Sequence, residues 1–276
     1  MKTKSKVNFL LLGSLVASLG GTRLMAQNAP SIIRYEPNGP GGKGLVGPNA
    51  KDEGTGDKKT TVLFYYQSGG PSKDASGIWE AVNYRTPLEP TKESEFIHVI
   101  RGSLTLGYKD GREETFRAGD NLLIPRGAEV AWKGTQNLRE YWVTFDSTGP
   151  SPAGSPAVIK FERDGPAGKG LKPTPPQDPW PAKEHDYYSS ATGSSAGVWE
   201  TEPHADQKFD KPNYCELMVF LDGEVTLSTP DGKSQTFKAG DVALVPKGVA
   251  YKWRSGRLRK FWVIFDHDPG SATSSN

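Results

Sequence analysis

A single cysteine, Cys215, is present in 276 residues, so the chain can form no internal disulfide and its stability must come from packing. Charge of one sign is lacking as well. Lys and Arg number 34 against 32 Asp and Glu, too even a balance for a nucleic-acid binder that depends on a basic surface. No amphipathic pattern of three helical turns is evident, which speaks against a helical bundle or a coiled coil. Histidine is scarce, at four: His98, His185, His204 and His267. Turn formers and aromatics are abundant, with 32 Gly, 22 Pro and 7 Trp. That composition describes a turn-rich, β-structured globular protein.

The amino terminus has the layout of a secretory signal peptide. Lys2, Lys4 and Lys6 precede a mostly apolar run at residues 7–19, and small residues follow, with Leu24 and Ala26 at the −3 and −1 positions of a cleavage site. The run contains Asn8 and Ser14 and is shorter than the roughly 20 apolar residues of a membrane span. No cysteine stands at the cleavage region after it, so no lipoprotein anchor is expected there. Residues 1–26 are expected to be removed, leaving a periplasmic or secreted protein that is not held at the membrane.

Beyond residue 30 the chain repeats itself. IIRYEPNGPGGKGL at residues 32–45 returns as VIKFERDGPAGKGL at 158–171, and GIWE at 77–80 returns as GVWE at 197–200. Glu95, Gly102, Asp110-Gly111, Phe116, Gly119-Asp120, Pro125, Gly127 and Trp132 recur as Glu216, Gly223, Asp231-Gly232, Phe237, Gly240-Asp241, Pro246, Gly248 and Trp253. LREYWVTFD at 138–146 matches LRKFWVIFD at 258–266. Each unit has the size of a domain rather than of a solenoid repeat. The expected organisation is a first domain over 31–146, a linker over 147–156 (STGPSPAGSP), a second domain over 157–268 and a disordered tail over 269–276. Within each unit, short apolar stretches alternate with Gly, Asp-Gly and Pro-x-Gly turns, the pattern of an all-β barrel or sandwich.

The order E-x6-G, D-G, F-x-A-G-D-x4-P-x-G-x4-W, present twice, resembles the two motifs of the cupin superfamily. GxWE and R-x-(Y/F)-W-V-x-F-D resemble in particular its ureidoglycine aminohydrolase-type and ethanolamine-utilisation-type branch. The resemblance implies a tandem duplication of a jelly-roll β-barrel, a bicupin. It also implies a divalent transition metal (Mn, Zn, Fe or Cu) in an enzyme, held by an H-x-H pair before the first-motif Glu and by a third His. This chain departs from that pattern. Glu95 and Glu216 stand at the carboxylate position, no His lies in 88–94 or 209–215, and Val130 and Tyr251 occupy the third-His position.

Strand alternation places Glu95, Ile97 and Val99 on one face with His98 on the other, and gives Glu216, Met218 and Phe220 a common face. In a cupin that face lines the barrel. A buried carboxylate needs a partner or a raised pKa, and two readings stay open: a ligand-binding or acid/base group, or an internal ion pair, for example with Arg139 or Arg259. Trp132 and Trp253 share strand phase with Val130 and Tyr251, so they line a ligand site or fill a core, and Trp79 and Trp199 carry the same alternatives. Trp142 and Trp262 are expected between domains. Cys215, on the opposite face from Glu216, reads as a packed thiol. His204 with Glu216 and Tyr251 forms a candidate metal set of irregular spacing, and Glu216 and Tyr251 are the candidate catalytic pair.

Three functions remain open. The first is a binding protein for a small polar or carbohydrate-like ligand, its second barrel the active one. The second is an atypical metal-dependent hydrolase or oxidase acting on a carbohydrate or nitrogenous metabolite. The third is a structural cupin that forms homodimers.

Overall fold

The computed structural model describes residues 31–47, 50–52, 59–69, 73–148, 154, 156–174 and 181–267. The signal-like segment, the middle of the 147–156 linker and the carboxyl-terminal tail lie outside the described residues. Nearly all regular structure is β, arranged as two barrels in the order of the repeats.

The first barrel is built on two long antiparallel strands, Ser94–Tyr108 and Glu129–Phe145, which pair with each other from Ser94↔Phe145 to Tyr108↔Val130. Ala75–Val82 and Lys59–Gln67 extend the sheet on one side and Asn121–Ile124 on the other. In the second barrel the counterparts of the long strands are each broken in two, Cys215–Asp222 with Glu224–Ser228, and Lys252–Ser255 with Leu258–Phe265, giving a seven-stranded and a four-stranded sheet. The bend falls at Gly102 and Gly223, with φ of 73° and 74°. A Cβ there would lie 2.2 Å from the Gln136 carbonyl oxygen or 2.1 Å from that of Arg257, so the corner needs glycine for its backbone angle and for its space. Gly223→Ala is expected to cost roughly 2–4 kcal/mol, read as a lower urea midpoint at unchanged slope.

Alternation along these strands sorts the side chains into three cores. Ile97, Val99, Leu104, Leu106, Phe116, Leu122 and Val130 fill the first barrel. Met218, Phe220, Val225, Leu227, Phe237 and Tyr251 fill the second. The opposite faces of the two large sheets meet in a third core that includes Phe96, Tyr141, Val143, Leu217, Phe261 and Val263. Cys215 is fully buried there, and burial raises its thiol pKa to about 12, so it is a packed thiol. Trp142, expected between the domains, belongs instead to the first barrel's core, edge-on to Phe64. Trp262 has the equivalent phase and lies against Gly197. Their sequence neighbours Tyr141 and Phe261 supply the interdomain aromatics, because successive residues of a strand face opposite ways.

The first strand of each repeat belongs to the other repeat's sheet. Ile33–Tyr35 pairs antiparallel with Val242–Val245 of the second barrel, in register Ile33↔Leu244. Ile159–Lys160 pairs with Asn121–Ile124 of the first, in register Ile159↔Leu123. Each arm then turns through its glycine-rich loop back to its own barrel. Arg139 donates to the Pro37 carbonyl (2.8 Å) and to Asn38 Oδ1 (2.9 Å), and Arg259 donates to the Arg163 carbonyl and pairs with Asp164. The junction has matched polar latches as well. Tyr66 of the first repeat donates to buried Asp266, and Tyr188 of the second donates to buried Asp146 at 2.8 Å.

Candidate functional site

In the first barrel, Ser94–Tyr108 presents Glu95 inward in line with Ile97 and Val99. Glu129–Phe145 presents Glu140, which lies directly across from Val99 on one side and from Trp79 on the other. Trp79, Trp132 and Tyr84 form a mutually edge-on cluster beside them. Ring centroids are 5.5 Å apart for Trp79–Trp132, 5.1 Å for Trp79–Tyr84 and 5.6 Å for Tyr84–Trp132. Glu140 is only 1% exposed, and its Oε2 has no hydrogen-bond partner; the same holds for the buried indole nitrogens of Trp79 and Trp142.

This chamber concentrates the carboxyls of Glu93, Glu95 and Glu140, and the exposed Lys92 at its edge acts on Glu93 alone of the three, lowering its pKa against the effect of burial. Burial, and then the nearby Glu93, raise the pKa of Glu95 to about 8. Burial and then Glu95 push Glu140 well above the ordinary carboxyl range. Glu93 rises to about 7, through burial first and then Asp74. Desolvation together with like charge is the condition that keeps neighbouring carboxyls protonated. Between the unfolded value of 4.5 and about 8 these carboxyls hold protons in the folded protein that the unfolded chain has lost, so their contribution to stability falls as pH rises through that interval, against an opposing contribution below pH 6.5 from His98 and His267, whose values burial lowers. Thermal unfolding followed from about pH 5 to pH 8 is expected to show a falling Tm in wild type, and a clearly shallower fall in Glu95→Gln.

The second barrel has the same scaffold and the opposite electrostatics. Trp199 and Trp253 repeat the edge-on pair, with centroids 5.9 Å apart. Lys260 stands where the first barrel has Glu140, across from Trp199 and Phe220. Its ammonium donates to Glu216 Oε1 at 2.5 Å and lies 5.2 Å and 4.9 Å from the Trp199 and Trp253 ring centroids. Glu216 and Lys260 are 8% and 7% exposed, so the ion pair is sealed in the barrel and its cation is further held by two π faces. Tyr251 is buried beside it, and burial and then Glu216 push its phenol well above its ordinary value.

Several expectations change in this light. Glu216 does have an internal ion-pair partner, but it is Lys260, not Arg259. Arg259 pairs with Glu200 (Nε to Oε2, 2.9 Å), and Arg139 with Glu80 (2.7 Å). Both arginines sit on the outward phase of the last strand and tie the GxWE glutamates to the arm loops. Two members of the candidate metal set His204, Glu216 and Tyr251 have other partners. His204 Nε2 bonds Asp206 Oδ1 at 3.0 Å, on the sheet edge, while Glu216 is neutralised by an ammonium. Among the described residues no group of three or more His, Cys, Asp and Glu side chains is placed to hold a metal. His98 stacks on Tyr141 in the interdomain core, as its strand phase requires. The residues present do not fit the three-histidine metal set that the fold implies.

Glu140, Lys260 and Glu93 were not among the sequence candidates. The signal for the first two is a charge reversal inside the near-identical strings LREYWVTFD and LRKFWVIFD, at a position whose phase matches the barrel interior.

The EutQ-like cupin domain matches twice, at residues 71–141 and 189–258, and the chain belongs to this family as a bicupin. Solved structures share the fold. A protein of unknown function of the DUF861 family from Pseudomonas syringae is 22% identical, with a TM-score of 0.68 over 85% of this chain and 99% of its own. A cupin 2 conserved barrel domain protein from Leptotrichia buccalis is 11% identical, with a TM-score of 0.53 over 78% of this chain and 91% of its own. HEPD from Streptomyces albus, solved with 2-hydroxyethylphosphonate and Fe(II), is 7% identical, with a TM-score of 0.51 over 87% of this chain and 77% of its own. A divalent metal thus occurs within this fold. No curated protein matches the sequence.

Proposed function

We propose that the chain is a ligand-binding bicupin whose first barrel receives a small polar molecule, while the second barrel is a closed structural partner. The observation that carries this is the contrast at one position. Lys260 completes the second barrel's polar interior, whereas Glu140 leaves the first with buried, unanswered polar atoms. Such atoms cost free energy unless something bonds them, and an aromatic-walled chamber with a few convergent polar groups is the ordinary form of a small-molecule site. At the position of Trp132 and Trp253 the first barrel is the more open, with Trp132 partly exposed and Trp253 2% exposed, and at the position of Trp79 and Trp199 the order is reversed. The contrast of Glu140 with Lys260 moves the ligand site from the second barrel, where the sequence pointed, to the first. The signal-like amino terminus supports export, so the ligand would be met in the periplasm or outside the cell.

Tryptophan fluorescence titrated with a panel of small polar organics tests the assignment. Binding that is lost in Trp132→Ala and kept in Tyr251→Phe supports it, and the reverse pattern returns the site to the second barrel.

A further inference from the structure

The two barrels differ at the one interior position that decides the charge of the chamber, and the second barrel shows what the shared scaffold holds. There, an ammonium on a four-carbon chain lies against the Glu216 carboxylate and over the Trp199 and Trp253 rings. The first barrel repeats the carboxylate as Glu95 and the rings as Trp79 and Trp132, in the same edge-on arrangement, 87° between planes against 88°. Among the described residues, the ammonium alone has no counterpart at this strand position, which Glu140 occupies. Glu140 starts from the same strand position as Lys260. Its carboxylate oxygens come at the place along the side chain where a lysine has Cε, one bond short of the nitrogen, so Glu140 adds a second acceptor next to that location instead of filling it.

We propose that the first barrel binds a primary alkylammonium ion, seated where Lys260 Nζ lies in the second barrel, bonded by Glu95 and Glu140 and covered by the faces of Trp79 and Trp132. This rests on the reading of the first barrel as the ligand chamber and names its ligand class. An ammonium has three donors and no acceptor, which suits two carboxylates, and a single cation between them removes the repulsion that otherwise keeps them protonated. Trp faces add cation–π attraction, strongest when water is excluded. The buried Glu140 Oε2, which has no hydrogen-bond partner, gains one. The alkyl chain would run among the apolar residues that line the barrel; in the second barrel Lys260 itself stands across from Phe220 of that core.

The test is isothermal titration of the full chain with n-butylammonium chloride, the free equivalent of a lysine side chain, beside n-butanol and sodium butyrate of the same length. Wild type is expected to bind one butylammonium per chain, at least tenfold more tightly than the alcohol or the acid. Glu140→Lys is expected to abolish that binding, because the barrel then carries its own ammonium. The isosteric Glu140→Gln, which keeps shape and fold, is expected to weaken it by tenfold or more. Butylammonium binding that is undetectable, or unchanged in Glu140→Gln, overturns the proposal. If butanol or butyrate binds instead and Glu140→Lys abolishes that, the ammonium assignment falls and the chamber stands. If nothing that binds responds to either Glu140 variant, both fall.

Discussion

Lys260→Ala is expected to destabilise the protein by about 3–5 kcal/mol, because it leaves the Glu216 carboxylate buried without its ammonium partner. For a protein of this size that is a large share of its total stability, and it should appear as a lower denaturation midpoint and a Tm that falls further as pH rises. The loss belongs to the broken pair and not to the pair's own worth. Replacing both members, as Glu216→Leu with Lys260→Met, is therefore expected to be close to neutral, since hydrophobic residues of similar volume often match a buried ion pair. The alanine variant should also be rescued chemically. n-Propylammonium supplies the deleted stem and charge, and tens of millimolar should raise the variant's Tm while leaving wild type unchanged at this site. A Lys260→Ala protein as stable as wild type would mean that the pair is not sealed from water. Failure of rescue alone would mean that the barrel collapses on the cavity.

Cutting the chain in the 147–156 linker is expected to have an equally large effect of another kind. Each half then carries the arm that completes the other's sheet, with Ile33–Tyr35 on the first half and Ile159–Lys160 on the second. Neither half alone can cover the edge at Asn121–Ile124 or Val242–Val245 with its own residues, and each exposes the interdomain face of Phe96, Tyr141, Leu217 and Phe261. An uncovered edge beside an apolar face invites association. The halves produced separately should aggregate or swap arms with their own kind, whereas produced together they should assemble as a stable one-to-one pair. Size-exclusion chromatography with light scattering reads this directly, and two soluble, separately folded monomers would contradict the arm exchange.

The fold was legible because it is written twice. Turn glycines such as Gly102 and Gly223, whose positive φ the corner demands, recur at fixed separation, and the period-two phase of Glu95 and Glu216 puts each carboxylate on the barrel side where the structure has it. The site was less legible, because a carboxylate's meaning depends on which side chain reaches it from across the barrel. Glu216 and Lys260 are far apart in sequence and meet only because two strands pair in one register. The informative mismatch of Glu140 with Lys260 lies inside two strings that otherwise match almost residue for residue. The arms were invisible for a related reason: Ile33–Tyr35 and Ile159–Lys160 read as edge strands of either barrel, and nothing local tells a strand which sheet it will join.

The reciprocal arms and paired latches give the molecule the form of a symmetric dimer closed within one polypeptide. In a dimer of identical subunits every change to the interior is made twice, so a lysine that seals one chamber seals both. Joining the two copies in one chain lifts that constraint. One barrel can then become a filled keel that holds its neighbour's edge, while the other keeps buried carboxyls where its twin has an ion pair, and a single gene carries an asymmetry that no homodimer of the parent unit could express.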